Sequence, residues 1–169
     1  METIEAITTR RSIRKYNEDR VPDEIVRELL TAAMSGPSAG NQQPWQFVAV
    51  TDRERLDALA EIRPYRAMLS TAPLVVIICG DMQRSKLGEY WVVDCSIATQ
   101  NLLLAAHARG LGAVWLGCHY MAERADPVRE KLGLPPHIMP FAVVSIGYPA
   151  QQLPAVERYQ AERVHADQW

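Results

Sequence analysis

Four cations and a hydroxyl lie close together in residues 10–16, near the start of the chain. A guanidinium offers a planar fork of donors that fits a phosphate with two parallel hydrogen bonds. Arg10, Arg11 and Ser12 could therefore cradle a terminal phosphate. A solvated helix end has the same composition, because Lys and Arg also complement the helix dipole. The stretch by itself leaves both interpretations open.

A second polar stretch, residues 35–45, combines glycine and proline with three consecutive amide side chains, directly before a predicted buried strand. An amide offers both a donor and an acceptor, which suits the edge of a heterocycle that carries N–H and C=O groups. The same composition fits a turn whose Asn and Gln side chains bond to local backbone.

Glycines also stand at both ends of a further predicted strand, in residues 110–117. Such glycines let a ligand approach backbone amides closely, and they also end strands that bind nothing. No glycine-rich dinucleotide fingerprint and no P-loop occurs in the sequence, so side chains would have to hold any phosphate.

Composition narrows the class of protein. The length of 169 residues fits one domain, and the net charge of -2 argues against nucleic acid as a partner. Three scattered cysteines and four histidines form no metal-ligand spacing, and no hydrolase elbow occurs. The absence of an acid/base apparatus favours a cofactor that carries its own chemistry. Neither a signal peptide nor a membrane span is predicted, so we expect a cytoplasmic protein.

Hydrophobic periodicity predicts alternating helices and strands, which indicates α/β or α+β architecture with one sheet. The helix over 91–108 is apolar nearly all round, which in so small a domain indicates that a partner subunit covers part of it. Residues 148–169 form a polar arm without its own core. The predicted helices cover 2–9, 22–34, 53–62, 91–108 and 123–132, and the predicted strands cover 45–50, 74–79, 113–118 and 141–147.

Taken in order, these stretches resemble the FMN-dependent nitroreductase family. The resemblance rests on RRSIRKY at 10–16, PSAGNQQPW at 37–45, DCSIATQNLLLAAH at 94–107, GLGAVWLG at 110–117, IGYP at 146–149 and ERYQAERVH at 157–165. It implies a single α+β domain over 1–169, with a mostly antiparallel sheet flanked by helices. It also implies an intertwined homodimer with FMN at the interface and the arm 148–169 lying on the partner.

The resemblance implies that Arg10, Arg11 and Ser12 hold the ribityl phosphate, helped by Arg158 from the arm. It places Arg14 near the N1 and C2 carbonyl edge of the isoalloxazine. A cation there stabilises the negative charge that develops when the flavin accepts a hydride.

The remaining implied flavin contacts come from two other segments. The other subunit contributes the loop before the first strand, and the third strand borders the ring with a backbone amide on N5. A polar residue of the segment 64–69 is also expected at the flavin. The residues concerned are Pro37, Ser38, Ala39, Asn41 and Gln43 in the loop, and Trp115, Leu116 and Gly117 in the strand.

The implied activity is NAD(P)H-dependent flavin reduction followed by reduction of a nitroaromatic, a quinone or a similar acceptor, in a ping-pong sequence. NADH or NADPH is the reductant, no side chain is assigned as catalytic, and no metal is expected. The link 80–90 is shorter than in many members, so we expect a wide or differently lidded pocket. Two alternatives stay open: a relative that dehalogenates aromatics or fragments flavin, and a flavin-binding protein without turnover.

Overall fold

A four-stranded antiparallel sheet with helices on both faces forms the described part of the chain, residues 1–62 and 65–169 of a computed structural model. The strands are β1 Trp45–Val50, β2 Leu74–Asp81, β3 Gly112–Gly117 and β4 Ile138–Gly147. The helices are α1 Thr3–Thr9, α2 Asp23–Met34, α3 Arg53–Ala60, α4 Arg66–Leu69, α5 Tyr90–Ala108 and α6 Ala122–Leu132. Short 3-10 turns occur at Ala39–Asn41 and Ala161–Arg163.

The strand order is β1-β2-β4-β3, and every pairing between strands is antiparallel. Every residue of β2 is buried, as the continuous apolar run predicts for a strand covered on both faces. The outer edge of β3 is bridged by Ser12, which pairs with Ala113 in the parallel sense. The α+β class and the mostly antiparallel sheet predicted from the resemblance are therefore confirmed.

Helix α5 lies across the sheet and packs against α2, β2 and β3. One side of it is fully buried, including Cys95, Ala98 and Leu102. The other side exposes apolar side chains, with Tyr90 59% and Val93 51% exposed. The all-round apolar sequence thus serves the core on one side only, and the second apolar side is uncovered in a single chain.

The ends of the elements show where sequence patterns are least informative. Strands β2 and β4 are longer than predicted, since β2 continues to Asp81 and β4 begins at Ile138. Helix α3 begins as expected, with the Asp52 side chain accepting from the Arg55 backbone N–H at 3.0 Å. The short helix α4 and the two 3-10 turns were not predicted, because single turns carry no hydrophobic period.

The first residues of the arm are bonded to the basic stretch 10–16. Tyr16 and Pro149 form an antiparallel bridge, and the Ala150 N–H donates to the Lys15 carbonyl at 2.9 Å. From residue 152 to residue 169 every side chain is exposed in the single chain. The predicted packing of 148–169 on a partner stays a prediction that this exposure favours.

The three cysteines, Cys79, Cys95 and Cys118, are buried free thiols, as expected for small apolar residues. Burial raises the pKa of Cys79 and of Cys118 to about 12, so neither thiol is a nucleophile at neutral pH. Among the described residues, no helix combines the length and the apolar character needed to cross a membrane.

Candidate functional site

The basic stretch 10–16 lies along the sheet because it pairs with the beginning of β3. The Ile13 N–H donates to the Ala113 carbonyl at 3.0 Å. A Cβ on Gly112 would stand 2.6 Å from Ile13 Cβ, so a side chain at 112 would push the stretch away. The glycine before the third predicted strand therefore serves packing, and it brings Arg10 and Ser12 to the sheet edge.

Arg10 is the centre of a group of like charges. Its Nε is buried and has no hydrogen-bond partner in the described structure. Burial, and then the nearby charges of Arg158 and Arg11, lower the pKa of Arg10. None of the three takes part in an ion pair within residues 1–62 and 65–169. The missing partner for such a cluster is an anion, which is the requirement of a phosphate site.

The other predicted members of this site have different surroundings. Arg11 donates to the carbonyl of Pro154 and so ties the basic stretch to the arm. Arg14 is exposed, and its Nη1 donates a long hydrogen bond of 3.5 Å to the Ser12 carbonyl. A cavity of about 310 Å³ lies between the stretch, the end of α5 and the arm. Its lining includes Thr9, Arg11, Ile13, His107, Gly110, Leu111, Pro149, Gln151 and Leu153.

The loop before β1 has a strained backbone. Gly40, Asn41 and Gln43 have φ values of 57°, 52° and 48°. Two of the three are not glycine, and such residues rarely adopt the left-handed conformation. Strain of this kind persists only where the surrounding contacts enforce it, and it concentrates in ligand-binding segments.

Three hydrogen bonds enforce this conformation. The Ala39 N–H donates to Asp94 Oδ1 at 3.0 Å, and Asp94 is buried in α5. The Gln43 N–H donates to Ser38 Oγ at 3.0 Å. Gln42 Oε1 accepts from a backbone N–H of the 82–89 link at 2.7 Å. Ser38 therefore binds local backbone, as a turn residue does, whereas Gln42 binds the backbone of a segment distant in sequence rather than its own turn.

The exposed amides of the loop are arranged differently. Gln43 Nε2 donates to Asn41 Oδ1 at 3.2 Å, and both side chains, like Pro37, face solvent. Their remaining donors and acceptors stay available to a ligand.

The loop and the cluster around Arg10 stand at different ends of α5. Asp94, which holds the loop, lies in the second turn of the helix. His107, whose Nε2 bonds Thr9 Oγ1 at 2.9 Å, lies in the last turn. The helix rise puts these positions about 20 Å apart along the axis. In one chain the loop and the cluster are therefore two separate surfaces.

The outer edge of β3 connects to the cluster through Ser12. Trp115, Leu116 and Gly117 are each only partly buried. A Cβ on Gly117 would meet no atom closer than Met121 Cε at 3.8 Å, so packing within the chain does not require a glycine there. The space beside Gly117 suits a ligand that approaches the backbone.

Sequence patterns missed Tyr65, whose hydroxyl donates to the Gly117 carbonyl at 2.9 Å. It lies within the segment 64–69, where the resemblance implied a polar contact without naming the residue; Pro64 of that segment lies outside the described residues. They also missed the role of Asp94, although an acid inside an apolar helix was the available signal. Within the described ranges, no three His, Cys, Asp or Glu side chains are placed to hold a metal ion.

Comparisons with known proteins show which family the chain belongs to. The model of the nitroreductase family matches residues 7–63 and 62–148. A protein of Methanothermobacter thermautotrophicus with the provisional name NADH dehydrogenase/NAD(P)H nitroreductase is 45% identical over 169 residues, spanning 100% of this chain and 88% of the relative. The chain belongs to the nitroreductase family.

Solved structures are similar over nearly the whole chain. An FMN-dependent nitroreductase of Clostridium difficile has a TM-score of 0.91 at 30% identity, covering 99% of its own length and 98% of this chain. The NADPH:FMN oxidoreductase of Vibrio harveyi, solved with NAD+, has a TM-score of 0.87 at 32% identity. That alignment covers 99% of this chain and 77% of the relative. The family predicted from the ordered motifs is therefore confirmed.

Asp94→Ala tests how the loop is held. Removing the carboxylate leaves the Ala39 N–H without its acceptor, so we expect faster hydrogen exchange of residues 38–43 and a loss of about 1–2 kcal/mol in the free energy of unfolding. Exchange mass spectrometry and urea unfolding measure the two effects. Asp94→Asn keeps an oxygen acceptor and should retain most of the protection. Equal exchange in wild type and Asp94→Ala would contradict the role.

Proposed function

We propose that this protein is an FMN-dependent NAD(P)H oxidoreductase that reduces small flat electron acceptors such as nitroaromatics and quinones. The observation that carries the proposal is the cluster of Arg10, Arg11 and Arg158 at one end of the open β3 edge, which has no ion-pair partner among the described residues and leaves the buried Nε of Arg10 without a hydrogen bond. The names of the Clostridium difficile and Vibrio harveyi relatives support it, since both refer to FMN and the latter structure contains NAD+.

The residues present fit FMN at both ends of the cofactor. The buried Nε of Arg10 needs an acceptor, and a phosphate supplies one with enough charge to offset the neighbouring arginines. The space beside Gly117 accommodates the edge of a ring against the backbone. Ser12 pairs with Ala113, and β3 spans about 13 Å from Ala113 to Gly117 at the rise of a strand. One ligand could therefore reach from Ser12 to Gly117.

When bound, FMN supplies the redox chemistry by accepting a hydride from NADH or NADPH and passing the electrons to a second substrate at the same face. The chain's own residues bind and orient it. Arg10, Arg158 and Ser12 would hold the phosphate, and Arg14 would supply positive charge beside the pyrimidine edge. A backbone N–H of Leu116 or Gly117 would donate to N5, and no side chain need transfer a proton.

Two subunits would complete each site. The cluster and the loop lie at opposite ends of α5, and the second apolar side of that helix, with Tyr90 and Val93, is uncovered in one chain. A partner packed on this side would bring its own loop 37–43 onto the first chain's β3 edge. Its arm, residues 148–169, would then have a surface to lie on.

Anaerobic reduction tests the activity. The purified protein with FMN should lose its visible absorbance when excess NADH or NADPH is added, and should recover it on addition of a quinone or a nitroaromatic. A yellow protein that keeps its spectrum under excess of both nucleotides would reject the reductase and favour a flavin-binding protein without turnover. Release of a halide or cleavage of the flavin instead would favour the other family activities.

Arg10→Ala tests the phosphate role. Losing a hydrogen bond to a charged group costs about 1.5–3 kcal/mol, so we expect FMN to bind about ten- to a hundredfold more weakly. Flavin fluorescence titration of the apoprotein measures the affinity. Arg20→Ala is the matched control, because that arginine is exposed and pairs with Asp23. FMN affinity that changes equally in both variants would remove the assignment.

A mixed dimer tests whether the loop acts on the other subunit's flavin. One chain carries Arg10→Ala, and the other carries Asn41→Ala together with Gln43→Ala. If the loop acts across the interface, one of the two sites in the heterodimer is wild type throughout, and about half of the tight FMN binding returns. If the loop acts within its own chain, both sites are defective. Tight binding at neither site would thus refute the two-subunit arrangement.

A further inference from the structure

A single hydrogen bond joins two surface segments beside the end of β3. The Tyr120 hydroxyl donates to the Glu89 carboxylate at 2.9 Å. Tyr120 belongs to the turn 118–121 between β3 and α6, and Glu89 ends the link 82–89 between β2 and α5. We refer to this contact as the latch.

The latch residue Tyr120 has an unfavourable backbone conformation. Its φ is 63°, which is an outlier for a bulky aromatic residue. Burial does not account for it, because the side chain is 78% exposed. A strained and exposed aromatic residue that packs into no core is the pattern expected where the side chain acts on a ligand.

The ring of Tyr120 lies against a histidine that carries a polar atom without a partner. The centroids of the His119 and Tyr120 rings are 3.6 Å apart, and Trp91 lies edge-on to His119 at 4.5 Å. His119 Nε2 is buried and forms no hydrogen bond in the described structure. Burial lowers the pKa of His119, opposed by the charge of Glu89, so the imidazole is neutral at physiological pH.

The two latch segments lie beside different parts of the proposed two-subunit arrangement: Tyr120 follows the Gly117 end of its own chain's β3 edge, and Glu89 belongs to the link that contacts the loop offered to the other subunit's flavin. Tyr120 comes three residues after Gly117 in the chain. The link is bonded to the flavin loop, since the Lys86 N–H donates to Gln42 Oε1 at 2.7 Å. A Cβ on Gly40 would stand 3.2 Å from Leu87 Cδ1, so the link also contacts the loop through side chains. The latch thus connects the strand end to the loop.

We propose that the Tyr120–Glu89 latch is the gate of the electron-acceptor pocket and that Tyr120 sets the width of the aromatic acceptor it admits. The inference rests on the proposed function, from which it takes the position of the ring beside Gly117. A closed latch admits a single aromatic ring. A wider acceptor requires the Tyr120 ring to swing away from its position beside His119.

Hydrogen exchange of the apoprotein tests the latch without any flavin. In Tyr120→Phe and in Glu89→Ala, exchange should rise in both segments, 86–90 and 118–121, by about threefold or more, because each variant removes the hydrogen bond that joins them. Glu89→Gln keeps an acceptor and should restore protection. Arg84→Ala is the control, since it removes an exposed side chain from the same link as Glu89. Exchange that rises only in the segment carrying the substitution overturns the latch.

Calorimetric binding of two unreactive aromatic anions to the FMN-loaded protein tests the gate. We expect 2-naphthoate to gain at least about tenfold in affinity over benzoate in Tyr120→Ala, because the ring that excludes the second aromatic ring is gone. Glu89→Ala should show a smaller gain, and Arg84→Ala none. An unchanged ratio of the two dissociation constants in Tyr120→Ala overturns the gate.

These outcomes are separate from the proposed activity. If NADH and NADPH fail to bleach the wild-type protein, the reductase proposal fails, while the exchange and calorimetric results still report on the latch. If the wild type is bleached but Tyr120→Ala binds both anions as the wild type does, only the gate is rejected.

Discussion

The pairing of residues 12 and 13 with the start of β3 is the constraint on which the rest of the candidate site depends. The Ile13 N–H bonds the Ala113 carbonyl, and the absence of a side chain at Gly112 lets the two segments touch. This contact carries the arginines at 10 and 11 from a helix end to the edge of the sheet. The arm begins beside the same stretch, at its bridge with Tyr16, and so brings Arg158 to Arg10.

Assembling three arginines without a counterion costs free energy in the folded chain. The cost shows in the lowered pKa of Arg10 and in its buried Nε without a partner. A ligand that binds only the folded state raises the free energy of unfolding. The increase grows with the logarithm of the ligand concentration divided by Kd. An anion at this position would therefore stabilise the fold as well as occupy the site. This is the physical reason for preferring a phosphate site to a solvated helix end.

Apart from Asp167 near the end of the arm, the described non-glycine residues with positive φ lie in two segments on the surface, the loop around Asn41 and the turn at Tyr120. In the loop, a buried carboxylate in α5 and two side-chain acceptors hold the backbone, which orients the loop before any ligand arrives. In the turn, one hydrogen bond to an exposed Glu89 holds the aromatic ring. The loop is therefore suited to a fixed contact with a ligand. The turn at Tyr120 is suited to movement, because an exposed hydrogen bond contributes less to stability than a buried one.

The sequence by itself determined the main helices and strands, the α+β class and the family, because hydrophobic period and the ordered motifs are local properties of the chain. It also marked the basic stretch and the amide loop as polar segments beside buried strands. Only the tertiary structure decided which of their residues act together. It showed that Gly112 serves packing while Gly117 leaves space beside the strand. It showed that Arg11 bonds to the arm, whereas the Nε of Arg10 has no partner among the described residues. It also showed that Asp94 holds the loop. These distinctions depend on contacts between residues far apart in the chain, whose distances no local pattern encodes.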